Sequence, residues 1–141
     1  IMEKLELRDI QERRLTELSG GQRQRVALGK VMVQEPSLLM LDEPTTYLDI
    51  HYQLQFMEMV DAWRQASEIT VISVLHDLNL AAQFCDKLLV LHEGRVAGMG
   101  SPEEVLTEAY ISRIFRVMPS VVKHPENGAP QVLLTANRTR K

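Results

Sequence analysis

The sequence predicts an α/β fold with a parallel sheet and flanking helices. Strand-like and helix-like segments alternate along the chain, in the order that builds parallel βαβ units. Two strand-like segments, residues 38–41 and 70–75, each end in polar residues. Ligands of open α/β sheets bind beyond the carboxyl ends of the strands. We therefore expect function at these two ends.

The composition limits the classes of function and partner. The 141 residues are 45% hydrophobic and 25% charged, as expected of one soluble domain. With 16 Lys and Arg against 19 Asp and Glu, the net charge of -3 supplies no broad basic face. Nucleic-acid binding needs such a face, so we predict no nucleic-acid partner. The concentrated positive charge of Arg138, Arg140 and Lys141 is interpreted as a solvated terminus.

The chain also carries signs of its compartment and origin. Its single cysteine, Cys85, cannot form an internal disulfide, which favours a reducing compartment. We expect Cys85 on a buried helical face. No apolar run approaches the roughly 20 residues of a membrane-spanning helix. The start at Ile1 suggests that the sequence was cut from a longer protein.

The local patterns predict the elements in order. Ser19-Gly20-Gly21 is expected to form a loop whose serine caps a helix through residues 25–34, and Pro36 stops this helix. Residues 38–41 form a continuous apolar run, typical of a strand covered on both faces. The remaining predicted elements are a helix at 51–66, a strand at 70–75, a helix at 80–84, strands at 87–91 and 96–99, a helix from 102, and a tail hairpin of strands 121–122 and 131–135.

The segment Ser19-Gly20-Gly21-Gln22 has the features of an anion site. Glycines allow close approach of the backbone, and a helix N-terminus favours negative charge. The alternative is an ordinary capped helix start after a flexible turn. For an isolated Ser-Gly-Gly, this alternative would be preferred.

Acidic and imidazole side chains follow the two strands. Asp42 suits a Mg²⁺ site, because this ion takes one or two carboxylates with phosphate oxygens and water. Glu43 suits a base that orients and deprotonates water. His76 could hydrogen-bond a phosphate oxygen. The alternatives are a solvated acidic turn and an exposed or structural histidine.

Four segments, residues 18–25, 38–44, 46–49 and His76, together resemble the ABC ATPase family in order and spacing. The resemblance implies a partial P-loop NTPase core that uses ATP and Mg²⁺. It implies that Ser19, Gly20, Gly21 and Gln22 form the signature loop, which contacts ATP bound to the opposite subunit. It further implies these roles: Asp42 as the Walker B carboxylate near Mg²⁺, Glu43 as the catalytic base, Asp49 as the D-loop acid at the dimer interface, and His76 as the switch histidine.

The Walker A half of that core is absent from the sequence. A P-loop needs GxxxxGK[ST], and the pair Gly29-Lys30 has Gln24 and Val31 where the first glycine and the hydroxyl belong. We therefore expect the intact protein to hydrolyse ATP and this chain alone to be inactive. Gly29 stands where the family more often has alanine, and it should cost its helix about 1 kcal/mol.

Residues 43–50 and 76–79, with Ala81, resemble the corresponding segments of ATPases that serve importers of iron-siderophore complexes, haem or cobalamin. This resemblance implies a second ATPase subunit in a homodimer, a membrane permease as partner, and a cytoplasmic position on the inner face of the cell membrane. The domain organisation expected is a single partial domain: residues 1–35 end a helical subdomain, 36–118 form the catalytic core, and 119–141 form a tail.

Two other functions stay open. One is a soluble ABC ATPase without a transport role, which acts on DNA or ribosomes. The other is a non-catalytic module that completes a partner's ATP site. The sequence also predicts self-association, because strand edges and apolar faces would lack the cover of the missing half.

Overall fold

The computed structural model describes residues 1–135 and divides into two compact units, Ile1–Leu75 and His76–Lys141. Arg138, Arg140 and Lys141, which we interpreted as a solvated terminus, lie outside the described residues. The two units are described separately below.

The first unit contains a parallel β-α-β arrangement preceded by a helix. Two 3-10 turns lead into it, Arg8–Ile10 and Leu15–Glu17. They are followed by α1 (Gly20–Met32), β1 (Leu38–Asp42), α2 (Ile50–Ser67) and β2 (Thr70–Val74). β1 and β2 pair in parallel from Leu38 opposite Thr70 to Asp42 opposite Val74. The predicted parallel pairing is thus confirmed.

The core of the first unit is built from apolar side chains of the lead-in, α1 and α2. Leu5 is fully buried and lies against Gly29, whose missing Cβ would stand 2.9 Å from Leu5 Cδ1. The glycine that weakens α1 therefore makes room for this leucine. The other buried apolar side chains are Leu7, Ile10, Leu18, Leu28, Met32, Leu39, Phe56, Met57, Val60, Trp63 and Ile69.

The strand pair has one covered face and one open face, so the prediction of a strand covered on both faces is wrong for this chain. Leu39 is buried, whereas Met40 is 72% exposed and its register partner Ile72 is 52% exposed. Successive side chains of a strand point to opposite faces. An apolar run in β1 therefore leaves apolar side chains on the open face.

Over residues 76–135, the second unit contains three helices and two antiparallel hairpins. Its elements are α3 (Leu78–Phe84), β3 (Leu88–His92), β4 (Arg95–Gly100), α4 (Pro102–Val105), α5 (Glu108–Phe115), β5 (Pro119–Lys123) and β6 (Pro130–Leu134). β3 pairs with β4 and β5 pairs with β6. Gly128, with a φ of 73°, turns the second hairpin. The tail hairpin expected around Asn127-Gly128 is present.

Several boundaries differ from the predictions. Gly20 and Gly21 belong to the first turn of α1 and not to a loop before it. Cys85 follows α3 and is half-buried, so it does not lie on a buried helical face as predicted. The segment from Pro102 forms two helices, because α4 ends at Val105 before Thr107 caps α5.

Within residues 1–135, no helix combines the length and the apolar character required to cross a bilayer.

Candidate functional site

The start of α1 is fixed by a reciprocal cap. Ser19 Oγ accepts a hydrogen bond from the Gln22 amide at 3.3 Å, and Gln22 Oε1 accepts one from the Ser19 amide at 3.0 Å. The amides of Gly20 and Gly21 lie in the first turn, where a helix supplies no internal acceptor. The positive end of the helix dipole adds to their attraction for anions. The side chain of Gln22 is engaged in the cap.

Asp42 and Glu43 leave β1 at the same end of the parallel pair. Asp42 lies opposite Val74, and the Glu43 amide donates to the Val74 carbonyl at 3.1 Å. Glu43 has a φ of 46°, a left-handed backbone that turns the chain sharply out of the strand. Its Oε2 accepts a hydrogen bond from Thr46 Oγ1 at 3.2 Å. Both carboxylates are exposed, so a ligand could reach them.

Asp49 caps α2. Its Oδ1 accepts a hydrogen bond from the Tyr52 amide at 3.1 Å, and the side chain is solvent-exposed. Gln53 Nε2 reaches back to the Leu48 carbonyl at 2.8 Å. The loop between β1 and α2, residues 43–49, is therefore anchored at both ends.

Two contacts join the start of α1 to this loop. Gln24 Nε2 donates to the Pro44 carbonyl at 2.6 Å in a partly buried position. Gly21 lies against the ring of Tyr52, where an added Cβ would stand 3.2 Å from Cδ1. The first unit thus connects the Ser19–Gln22 segment with the loop that follows Asp42.

His76 begins the second unit. It is exposed and precedes Asp77, the N-cap of α3, whose Oδ1 accepts from the amides of Asn79 and Leu80 at 2.8 and 3.0 Å. Glu43 belongs to the first unit.

A Mg²⁺ ion would fit the Asp42 carboxylate. This group is exposed at the end of β1, and Mg²⁺ is commonly held by one or two carboxylates with phosphate oxygens and waters. Among the described residues, no three His, Cys, Asp or Glu side chains cluster as a metal site of their own.

Comparisons with known proteins agree with these motifs. Residues 1–46 match the model of the ABC transporter family. The chain is 39% identical to the ferric enterobactin transport ATP-binding protein FepC of Escherichia coli K12, over 82% of the chain and 43% of that protein. By sequence, the chain is similar to the ATP-binding proteins of ABC transporters.

A second relative and a solved structure extend the family comparison. The hemin import ATP-binding protein HmuV of Rhodococcus jostii is 43% identical over 86% of the chain and 41% of its own length. A structure described as an inward-facing, metal-chelate type ABC transporter matches 96% of the chain and 55% of its own, with a TM-score of 0.85 at 25% identity. The chain spans less than half the length of these two curated relatives. Its fold is part of an ABC ATPase core.

Sequence reasoning gave no individual role to three residues that contact the segment around Glu43 and Asp49. These residues are Gln24, Thr46 and Tyr52. The first two lie within the family-like segments 18–25 and 46–49, but only the structure shows what they contact. The cap of α3 by Asp77 carried a usable signal, because Asp directly before an apolar helical run is typical of an N-terminus.

Proposed function

We propose that the chain is part of the ATP-binding subunit of an ABC importer. The carrying observation is that Asp42 and Glu43 leave a parallel strand pair beside a capped helix that begins with Ser19-Gly20-Gly21. Phosphoryl transfer depends on positioned charges and hydrogen-bond donors, and the first unit supplies groups of both kinds. The similarity to FepC and HmuV supports the same proposal.

In the proposed mechanism, Glu43 orients and deprotonates the attacking water. The exposed Asp42 carboxylate would hold Mg²⁺, which when bound neutralises phosphate charge. The amides at the start of α1, with Ser19 and Gln22, would bind the γ-phosphate of ATP held by a second copy of the subunit. Asp49 would lie at the interface of that homodimer, and His76 would hydrogen-bond a phosphate oxygen of ATP.

The proposed cargo is an iron-siderophore complex, haem or cobalamin. FepC and HmuV are named for ferric enterobactin and hemin, and this naming supports the first two classes. The proposed partners are the second ATPase subunit and a membrane permease, which would hold the subunit at the inner face of the cell membrane. Within this scheme, residues 1–35 belong to the helical subdomain, 36–118 to the catalytic core, and 119–141 to the tail.

Exchange of Glu43 for glutamine in the complete protein tests the chemistry. Glu43→Gln keeps the size and hydrogen-bonding shape of the side chain but removes the base, which contributes about 10²–10⁴-fold to such reactions. We expect phosphate release with ATP and Mg²⁺ to fall at least about a hundredfold, while ATP binding persists. Unchanged turnover in this variant would exclude Glu43 as the base.

Glu35→Gln is the matched control. Glu35 is also exposed and also has a φ of 46° in the first unit, so the variant removes the same charge from the same backbone conformation. Its turnover should equal that of the unmodified protein. The chain alone should release little or no phosphate, because no P-loop lysine is present to hold the nucleotide.

A non-catalytic module that completes a partner's ATP site is the second candidate function. The capped, glycine-rich start of α1 favours it, because this segment needs no P-loop of its own to contact a phosphate. Calorimetry of ATP binding by the complete subunit, with and without this chain, distinguishes the two functions. Tighter binding in the presence of a chain that binds no ATP alone would favour the module.

A further inference from the structure

We infer that Gln24 is a positioning residue that couples the phosphate-binding start of α1 to the catalytic Glu43 loop. The inference rests on the proposed function. It adds that one side-chain amide connects the segments that would serve two different ATP molecules in the dimer. The coupling is argued from contacts within the first unit.

The hydrogen bond of Gln24 spans the gap between these segments. Its Nε2 lies 2.6 Å from the carbonyl oxygen of Pro44, the residue directly after Glu43. The side chain of Pro44 is buried, and its ring restricts its own φ. This carbonyl belongs to the Pro44–Thr45 peptide. Because the ring fixes φ of Pro44, a displacement of the carbonyl can be absorbed within residue 44 only by a change in ψ.

Gln24 shares a helix face with the proposed phosphate contacts. It lies four residues after Gly20, and residues at this spacing are neighbours on a helix surface. The cap between Ser19 and Gln22 holds this first turn rigid. A shift of the turn toward a bound phosphate would therefore carry Gln24 with it.

A second contact reaches the other end of the same loop. Gly21 packs against the ring of Tyr52, and the Tyr52 amide donates to Asp49 Oδ1. The N-terminal part of α1 thus contacts Pro44, just after β1, and Tyr52, near the start of α2. A movement of this part of α1 would therefore act on both ends of the loop.

The loop between these contacts, residues 43–49, is short and has two internal backbone hydrogen bonds. The Thr46 amide donates to the Glu43 carbonyl at 3.2 Å and the Leu48 amide to the Thr45 carbonyl at 3.3 Å. Glu43 and Tyr47 both have positive φ, at 46° and 68°. Non-glycine residues adopt this conformation only where surrounding contacts hold it. Loss of the Gln24 contact is therefore expected to change the aim of the Glu43 carboxylate.

The test uses the complete protein and the variant Gln24→Met. Methionine has a similar length but donates no hydrogen bond to Pro44. Because Glu43 acts in the chemical step, we expect kcat for ATP hydrolysis to fall about tenfold while KM for ATP stays within about twofold. A loss confined to KM, or no loss, would overturn the inference.

The control variant is Gln34→Met. Among the described residues, Gln34 Nε2 donates to the nearby Lys30 carbonyl alone, at 3.2 Å, so this change removes the same donor without touching the loop. Both kcat and KM should equal those of the unmodified protein. An equal loss of kcat in this control would show that the effect does not depend on the contact with Pro44, and it would overturn the inference.

Coupling is tested by combining Gln24→Met with Ser19→Ala. Residues that act as one unit have strongly non-additive effects on rate. We expect Ser19→Ala to lower kcat by a smaller factor in the Gln24→Met background than in the unmodified protein. If Ser19→Ala lowers kcat by the same factor in both backgrounds, Gln24 does not couple the start of α1 to the Glu43 loop.

A second variant covers the case in which Gln24→Met fails to fold. Gln24→Lys retains an N–H donor on a flexible side chain that can reach the Pro44 carbonyl, so kcat should remain within about threefold of the unmodified value. A tenfold loss in this folded variant would contradict the inference.

If the unmodified protein releases no phosphate from ATP, the proposed function itself fails. If it does so and Gln24→Met is equally active, only the role of Gln24 fails.

Discussion

The side-chain amide of Asn79 forms two hydrogen bonds with the backbone of Val132, as a neighbouring strand would. Asn79 Oδ1 accepts from the Val132 amide at 2.7 Å, and Nδ2 donates to the Val132 carbonyl at 3.2 Å. A weaker bond of 3.4 Å joins Gln83, one turn along α3, to Asn127 in the hairpin loop. The β5–β6 hairpin is therefore attached to α3, the helix that begins two residues after His76.

Asn79→Leu should detach this hairpin. Leucine is close in size but leaves two backbone groups of the buried Val132 without partners, at a cost of about 2 kcal/mol. We expect amide hydrogen exchange at Val132 to accelerate about thirtyfold, as measured by mass spectrometry or NMR. The control is Gln131→Ala, because within residues 1–135 the Gln131 Nε2 donates to its neighbour Pro130 alone. Equal protection of Val132 in both variants would show that Asn79 does not hold the hairpin.

Ser19 variants separate the stability of α1 from its proposed phosphate contact. Ser19→Ala removes the cap and should lower the free energy of unfolding by about 1 kcal/mol. Ser19→Asp retains a capping oxygen and should keep the stability near that of serine. In the complete protein, however, the aspartate should abolish ATP hydrolysis, because its carboxylate repels a phosphate. Thermal unfolding and phosphate release measure the two effects, and an active Ser19→Asp protein would contradict the contact.

Gly29→Ala should destabilise the chain although alanine favours helices. The gain of about 1 kcal/mol in helix propensity is opposed by the overlap of the new Cβ with fully buried Leu5, 2.9 Å away. Overpacking of a core costs about 1–3 kcal/mol, so we expect a net loss of about 1 kcal/mol in chemical denaturation. The same change should stabilise a Leu5→Val background, which lacks the overlapping atom.

Gly20→Ala is the control for that experiment. A Cβ at Gly20 meets nothing within 4 Å, so its effect on stability reports the helix alone. An equal gain in stability from Gly20→Ala and Gly29→Ala would contradict the packing explanation.

The open face of β1 and β2 should make the isolated chain self-associate. Met40 and Ile72 lie opposite each other on this face, flanked by exposed Leu38 and Val74. Contiguous exposed apolar surface of this kind is typical of interaction sites or aggregation. We expect analytical ultracentrifugation to detect concentration-dependent association, reduced by Met40→Thr with Ile72→Thr. Val33→Thr, at an exposed apolar residue outside the strands, should change nothing. A monodisperse monomer at all concentrations would contradict this prediction.

Much of the site could be predicted because its signals are local. Ser19 lies three residues before Gln22, and a cap needs only that spacing. The strands were recognisable from their apolar runs, and the polar residues Asp42 and Glu43 mark the end of β1. Gly20 and Gly21 were wrongly expected in a loop, since glycine favours turns unless a cap and a following helix override it.

The sequence by itself determined the Ser19 cap, the order of elements and the family motifs, because each depends on residue type within a few positions. The alternation of helix and strand patterns also predicted the parallel pairing. The tertiary structure alone decided that Gln24 bonds Pro44 across 20 residues and that Asn79 bonds Val132 across 53. Only the tertiary structure places Leu5 against Gly29, where a larger residue would overlap it, and leaves Met40 exposed. Contacts of this kind follow from how helices and strands pack, which no short-range spacing encodes.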